Sequence, residues 1–175
     1  MRRTSQRGID LIKSFEGFSP TKYPDGHGYS IGHGTFIDKP SEQYLLTATI
    51  SRSEAEALLR RDVERFERAV NEELSGISQE QFDALVSLTY NIGVSAFKGS
   101  TLLRLAKANP NDPNIREAFM MWKKSRGKIL NALIDRRRKE ANLYFSNTSS
   151  PITKLKRSSL FLIPLLLVVA LIVIE

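Results

Sequence analysis

Apolar residues recur at helical spacing along most of the chain. Ile9, Ile12 and Phe15 lie three residues apart, which predicts a short first helix that ends near Gly17. Two later apolar stripes follow the sequences SRSE and SQEQ, and both sequences match capping boxes. The helices predicted after the first are those at 51–70, 78–93, 100–108, 113–123 and 129–145.

Residues 23–37 interrupt this helical pattern. Glycines at positions 26, 28, 32 and 34 are interspersed with Tyr29, Ile31 and Phe36, and the dipeptide at 25–26, Asp-Gly, is a turn signal. The stretch predicts a small, bent hairpin or sheet. The predicted fold class is therefore α+β, mostly helical with a small sheet near the N-terminus.

The C-terminal segment has a different composition. Fifteen consecutive apolar residues run from Leu160 to Ile174. As a helix they would reach about 22 Å, which is short of a hydrocarbon core of about 30 Å, so the segment would be a marginal span. A buried element of the domain is the alternative, but such an element normally has polar positions. We predict a globular domain at 1–145, a linker and basic flank at 146–158, and a hydrophobic transmembrane anchor helix at 159–175.

Composition limits the chemistry that the chain can perform. It has no cysteine, which excludes disulfides, thiolate catalysis and cysteine-ligated zinc. Its formal net charge of +7 favours an anionic partner, which is a nucleic acid, a phospholipid surface or a bacterial envelope polymer. No secretory signal peptide is predicted, because Asp10 and Lys13 interrupt the first apolar residues.

Two carboxylates flank the glycine-rich stretch and are candidates for acid–base chemistry. Glu16 ends the first predicted helix at the edge of its apolar face, and a carboxylic acid beside apolar groups can keep its proton at neutral pH. Asp25 lies in a more polar loop, where a carboxylate stays ionised and can activate water. By spacing alone these residues are more typical of ordinary surface acids than of a catalytic pair. His27 and His33 are too few for a metal site, and no metal is predicted.

A longer stretch carries a family resemblance. LIKSFEGFSPTKYPDGHGYSIGHGT resembles the catalytic opening of the bacteriophage lysozyme family, the muramidases of glycoside hydrolase family 24. The resemblance continues, in order, through the segments ISRSEAEALLRRDVERFERAV, QFDALVSLTYNIGVSAFKGSTLLRL, FMMWKKSRGK and LNALIDRRRKEANLYF. It covers about residues 5–145 and implies a lysozyme-like fold.

The resemblance also implies the site. Glu16 matches the general acid of the family and Asp25 its second carboxylate. The third position is normally a threonine with five residues after the aspartate, whereas Ser30 follows here with four between. The family usually reads TIGYGH where this chain has SIGHGT, so either Ser30 or Thr35 supplies the hydroxyl.

The implied activity is hydrolysis of the β-1,4 bond between N-acetylmuramic acid and N-acetylglucosamine in peptidoglycan, with inversion. No cofactor or metal is required, and a monomer is expected. A lytic transglycosylase is the alternative enzyme, and a non-catalytic, membrane-tethered glycan-binding virion protein is the alternative of another class. No nucleic-acid-binding module is recognisable, so DNA and RNA are not expected partners.

The predicted anchor bears on location. Lys154, Lys156 and Arg157 would hold the N-terminal side of the apolar segment on the cytosolic face. We therefore expect a protein anchored by its C-terminus in the membrane of a phage particle or in the inner membrane of the host. Elsewhere, the charged sequence RRRKE at 136–140 predicts a solvated helix face, while Phe119 and Trp122 predict core positions.

Overall fold

The computed structural model describes residues 1–147. Within this range the chain forms seven α-helices: α1 (Gln6–Glu16), α2 (Arg52–Glu73), α3 (Gln79–Ile92), α4 (Val94–Lys98), α5 (Thr101–Ala108), α6 (Ile115–Met120) and α7 (Asn131–Tyr144). A 3-10 helix at Pro40–Leu46 precedes α2. The predominance of helix after Pro40 is confirmed.

Five short strands in the same range form two antiparallel sheets: β1 (Ser19–Asp25), β2 (Gly28–Gly32) and β3 (Thr35–Phe36), then β4 (Lys124–Ser125) and β5 (Lys128–Ile129). The first sheet has the order β1-β2-β3 and is the small N-terminal sheet that the sequence predicts. Asp25 pairs with Gly28 across the first turn, where Gly26 has a φ of 59° that suits glycine.

Serine side chains cap the N-termini of α1, α2 and α3. Ser51 and Ser78 each accept a hydrogen bond from the backbone N–H three residues later, and both complete a capping box. Ser5 caps α1 in a similar way by accepting from the N–H of Gly8. The two predicted capping boxes are confirmed.

Buried apolar residues form two clusters that share α2. The smaller cluster lies against the first sheet and consists of Ile31, Ile37, Leu45, Ile50 and Ala55. The larger one lies among the helices, and α2 contributes Leu59, Val63, Phe66 and Val70 to it. The central helix of this larger cluster is α3, in which residues 81–89 are all buried. The site described below lies where the sheet meets these helices.

Three details of the fold differ from the sequence prediction. The helix predicted at 113–123 is shorter, because α6 ends at Met120 and the β4–β5 hairpin follows. Helix α4 was not predicted. The sequence RRRKE is not a solvated face: Arg136, Arg137 and Glu140 are buried, and only the two residues between them are exposed.

The predicted linker and anchor lie almost wholly outside the described residues. The linker and basic flank at 146–158 has only its first two positions inside them, and the anchor at 159–175 has none. No helix within residues 1–147 combines the length and the apolar character needed to cross a bilayer.

Candidate active site

The carboxylate of Glu16 stands at the junction of α1 and the first sheet. Glu16 is the last residue of α1, and Gly17 ends the helix with a φ of 71° while its N–H donates to the carbonyl of Lys13. The chain then enters β1 two residues later, at Ser19. The Glu16 side chain retains 24% of its exposure, so its carboxylate is accessible from solvent.

An arginine from the last helix binds this carboxylate. Nη1 of Arg136 donates to Oε1 of Glu16 at 2.7 Å, and the same guanidinium lies 4.7 Å from the centroid of the Phe15 ring. The sequence predicted an apolar edge around Glu16, and the structure corrects this. The ring of Phe15 lies against the Arg136 guanidinium, and the carboxylate of Glu16 is paired with that same cation.

Arg136 is itself held in a buried polar cluster between α3 and α7. Its Nε donates to Oε1 of Glu140 at 3.2 Å, and Ser87 donates to the same oxygen at 2.7 Å. Nε of Arg137 lies 2.9 Å from the other oxygen of Glu140. Burial raises the pKa of Glu140 and lowers that of Arg137 to about 10, while their opposite charges counteract both shifts. The i, i+3 and i, i+4 spacing of these charges indicated that they can pair on one helix, and it gave no signal of burial.

Asp25 and Ser30 form the second half of the candidate site. Asp25 ends β1 and is exposed, whereas Ser30 in β2 is fully buried. The hydroxyl of Ser30 donates to Oδ2 of Asp25 at 2.7 Å. The buried Ser30 hydroxyl therefore holds Oδ2 of Asp25 in place, while Asp25 itself remains accessible to solvent.

Thr35 occupies a different position from Ser30. Its hydroxyl donates to Oδ2 of Asp62 in α2 at 2.6 Å, which ties the sheet to that helix. Of the two hydroxyls that the sequence left open, Ser30 is therefore the one bound to Asp25. His33 is buried beside Phe18, and its Nδ1 contacts the carbonyl oxygen of Gly17. Among residues 1–147, no group of His, Asp and Glu side chains has the arrangement of a metal site.

Two tyrosines that the sequence did not single out lie close to the carboxylates. Burial raises the pKa of Tyr23, and the charges of Asp25 and Glu16 raise it further. Burial also raises the pKa of Tyr90, with Glu16 the next contributor. The phenol of Tyr23 is thus within the electrostatic reach of both carboxylates. Tyr23 lies two residues before Asp25 in one strand, and this alternation was the available signal.

A cleft of about 400 Å³ is lined by Gly34 and Tyr90, while neither Glu16 nor Asp25 is among its lining residues. The hydroxyl of Tyr90 donates to the carbonyl of His33 at 3.3 Å. A Cβ atom on Gly34 would lie 3.9 Å from Oε2 of Glu16, so the backbone here comes very close to the carboxylate. The remaining lining residues are mostly charged: Asp38, Lys39, Arg61, Asp62, Glu64, Arg65 and Arg68, with Phe36.

The aromatic residues near the end of α6 do not line this cleft. Phe119 is fully buried, which confirms it as a core position, whereas Trp122 is half-buried and packs at the edge of the larger apolar cluster. A larger cavity of about 680 Å³ lies between α5 and α6, and neither Glu16 nor Asp25 lines it. The candidate catalytic carboxylates and the larger cavity therefore lie in different parts of the fold.

Known proteins resemble this chain over the part that contains the site. A family model described as phage lysozyme matches residues 13–140. The endolysin of Bacillus phage B103 is 40% identical over 154 residues, which are 86% of this chain and 57% of that endolysin. This chain therefore spans little more than half of the length of that relative.

Two solved structures are similar in both sequence and fold. The endolysin from Escherichia coli O157:H7 phage FAHEc1 superposes with a TM-score of 0.73 at 38% identity, over 83% of this chain and 95% of that one. The muramidase domain of SpmX from Asticaccaulis excentricus superposes with a TM-score of 0.70 at 34% identity, over 82% of this chain and 98% of that one. These likenesses confirm the fold that the sequence predicts for the described residues.

Proposed function

We propose, because this chain belongs to the phage lysozyme family, that it is a glycoside hydrolase of peptidoglycan. The bond cleaved is the β-1,4 linkage between N-acetylmuramic acid and N-acetylglucosamine, and the anomeric carbon is inverted. The observation that carries the assignment to particular residues is the placement of Glu16 and Asp25. Glu16 ends α1 and Asp25 ends β1 just beyond it along the chain, and burial and then the charges of Asp25 and Glu16 raise the pKa of Tyr23.

Glu16 is the general acid in this proposal. It donates a proton to the glycosidic oxygen as the bond from that oxygen to the anomeric carbon breaks. The two oxygens of its carboxyl group have different surroundings: Oε1 accepts from Arg136, while Oε2 lies 3.9 Å from the position of a Cβ on Gly34, a residue that lines the cleft. Oε2 is therefore the oxygen that would carry the proton toward a bound glycan.

Asp25 is the general base. It removes a proton from a water molecule, whose oxygen forms the new bond to the anomeric carbon from the face opposite the leaving group. The hydrogen bond from Ser30 to Oδ2 fixes the orientation of the carboxylate and leaves Oδ1 for the water. Inversion requires about 6.5 to 9.5 Å between the two carboxyl groups, so that the water fits between them.

Hydrolysis of purified peptidoglycan by the full chain tests this assignment. Glu16→Gln and Asp25→Asn should each reduce the rate by about 10²- to 10⁴-fold. Glu117→Gln is the matched control, because Glu117 is an exposed acid on α6. An unchanged rate in Glu16→Gln would contradict the role of the acid. Circular dichroism of each variant shows whether the fold is retained.

The released sugar ends distinguish the alternatives. Reducing muramic acid ends, formed first as the α-anomer, support inverting hydrolysis. Ends of the 1,6-anhydro type would instead identify a lytic transglycosylase, in which a sugar hydroxyl replaces the water. A wild-type chain that binds glycan and cleaves none would indicate a non-catalytic binding protein.

Membrane attachment is a separate part of the proposal. It rests on the apolar run from Leu160 to Ile174 and on the cations at 154, 156 and 157. The expected location is the membrane of a phage particle or the inner membrane of the host. Protease protection of the domain in purified particles or inverted vesicles tests its orientation, and recovery of the full chain in the soluble fraction would contradict the attachment.

A further inference from the structure

The β4–β5 hairpin and its flanks, residues 121–130, concentrate positive charge. We call this segment the cationic hairpin. It contains Lys123, Lys124, Arg126 and Lys128 and no acidic residue. None of the four forms an ion pair with any residue in 1–147, whereas other surface lysines do: Lys98 and Lys107 both pair with Glu73. The charge of the hairpin is therefore not neutralised within the described fold.

Apolar side chains are exposed in the same segment. Met121, Ile129 and Leu130 retain 62%, 55% and 42% of their exposure, respectively. Single exposed apolar residues are common on protein surfaces, but a cluster of them marks a contact surface more often. Here the cluster is interleaved with the four cations, so the surface has both apolar and cationic character.

The turn of the hairpin is conformationally strained. Arg126 has a φ of 49°, and it is the one non-glycine residue with positive φ within the described residues. This conformation favours asparagine or glycine, and another side chain there costs free energy. The Arg126 side chain is exposed and has no partner in residues 1–147 that would offset the cost. A partner outside the fold would account for an arginine at this position.

A concave apolar surface continues from the hairpin. The cavity of about 680 Å³ between α5 and α6 is lined by Leu105, Ala118, Met120 and Met121. Arg104, Lys123 and Lys124 also line it, together with the one acid Glu117. The cavity thus combines cationic and apolar side chains, as the cationic hairpin does, and it enlarges the surface available to a partner.

We propose that the cationic hairpin docks on an anionic phospholipid surface. The cations attract lipid phosphates, and each is worth about a fivefold change in affinity near such a surface. The exposed apolar side chains of Met121, Ile129 and Leu130 insert at the boundary between headgroups and acyl chains. A hydrated phosphodiester polymer would neutralise the same charge but would leave these three side chains in water. The lipid surface therefore matches more of what the structure shows.

The chain contains a reporter at this surface. Trp122 is its sole tryptophan and lies between Met121 and Lys123. The full chain is mixed with vesicles of equal parts phosphatidylglycerol and phosphatidylcholine whose acyl chains are brominated, and quenching of tryptophan fluorescence is measured. Ile129→Trp adds a second reporter at an exposed position. Because bromine quenches only nearby tryptophan, this measurement detects docking of the hairpin even if another segment also binds the vesicle.

The expected result is quenching on these vesicles that weakens as salt is added. Lys124→Gln combined with Lys128→Gln should lower the docking constant about fivefold for each cation removed. Arg65→Gln combined with Arg68→Gln removes the same charge from α2 and should leave quenching unchanged. All four positions are exposed, so the fold is expected to survive.

Three results would overturn the proposal. One is the absence of quenching in both the wild type and Ile129→Trp. Another is equal quenching on vesicles of phosphatidylcholine alone, which would remove the role of the cations. The third is binding of the chain to soluble polyphosphate without any quenching on vesicles, where Lys124→Gln combined with Lys128→Gln abolishes that binding. That result would identify an anionic polymer as the partner.

Discussion

Arg136 and Glu16 are in direct contact although 120 positions separate them: Nη1 of Arg136 lies 2.7 Å from Oε1 of Glu16. The contact joins α7 to the C-terminal end of α1. Since Arg136 is also bound to Glu140, the position of the proposed acid depends on a cluster buried beneath it.

Arg136→Gln should impair both catalysis and folding. Glu16 loses the contact that orients it, and a misplacement of about 1 Å can cost about 10²-fold in rate. Glu140 keeps Arg137 but loses one of its two cations, so we expect a loss of about 2–4 kcal/mol in unfolding free energy. Steady-state kinetics and urea denaturation measure the two effects. Arg138→Gln, at an exposed position on the same helix, should change neither.

Ser30→Ala and Thr35→Ala should separate the roles of the two hydroxyls. Ser30→Ala removes the hydrogen bond to Asp25, so kcat should fall at least tenfold with little change in KM. Thr35→Ala leaves the Asp62 carboxylate without its buried donor, which should cost about 1–3 kcal/mol of stability while kcat changes less. A larger fall of kcat in Thr35→Ala would assign the catalytic hydroxyl to Thr35.

Gly34→Ala should reduce activity because alanine is strained at a positive φ, and Gly34 lies beside Glu16. Gly34 has a φ of 93°, and its new Cβ would be in ordinary van der Waals contact with the hydroxyl of Tyr90, at 3.5 Å, and with Oε2 of Glu16, at 3.9 Å. Gly76→Ala is the control, because Gly76 has a φ of 73° and no heavy atom within 4 Å of a new Cβ. Both variants should lose about 1 kcal/mol or more of stability. Equal activity in the two variants would show that strain beside Glu16 does not affect catalysis.

Glu56 should make the fold sensitive to acid. The ammonium of Lys13 and the guanidinium of Arg60 lower the pKa of Glu56 from 4.5 to about 2. Because its folded pKa lies below the unfolded value, the stabilisation is complete above about pH 4.5 and is lost as the pH falls toward 2. Allowing for solvent screening, this contributes about 1 kcal/mol. Glu56→Gln should therefore be less stable at neutral pH and should lose less stability on acidification, as measured by urea denaturation at several pH values.

Local sequence was sufficient to locate the elements that have strong terminal signals. Ser51 and Ser78 begin their helices with capping boxes, and Gly17 ends the helix that presents Glu16. The sheet that carries Asp25 and Ser30 was predictable from its glycines and its turn dipeptide. Each of these signals acts within a few residues, which is why a single sequence contains it.

Contacts between distant segments could not be predicted in this way. The pairing of Arg136 with Glu16 and that of Thr35 with Asp62 depend on how helices pack against one another and against the sheet. The strands of the β4–β5 hairpin have two residues each, too few to show an alternating pattern. Burial of Arg136, Arg137 and Glu140 was missed because a charged sequence normally lies in solvent, whereas here Glu140 pairs with both arginines and the distant Glu16 supplies the second negative charge.

The unequal size of the two apolar clusters has a consequence for heat inactivation. The sheet that carries Asp25 rests on a cluster of five buried residues, whereas the helices pack around a much larger one. Local opening costs least where few apolar contacts are lost, so backbone amides of β2 should exchange with deuterium before those of α3. On heating, the sheet is then expected to open while the helical cluster is still folded. The chain would lose its catalytic geometry in a reversible step below the temperature at which it unfolds completely.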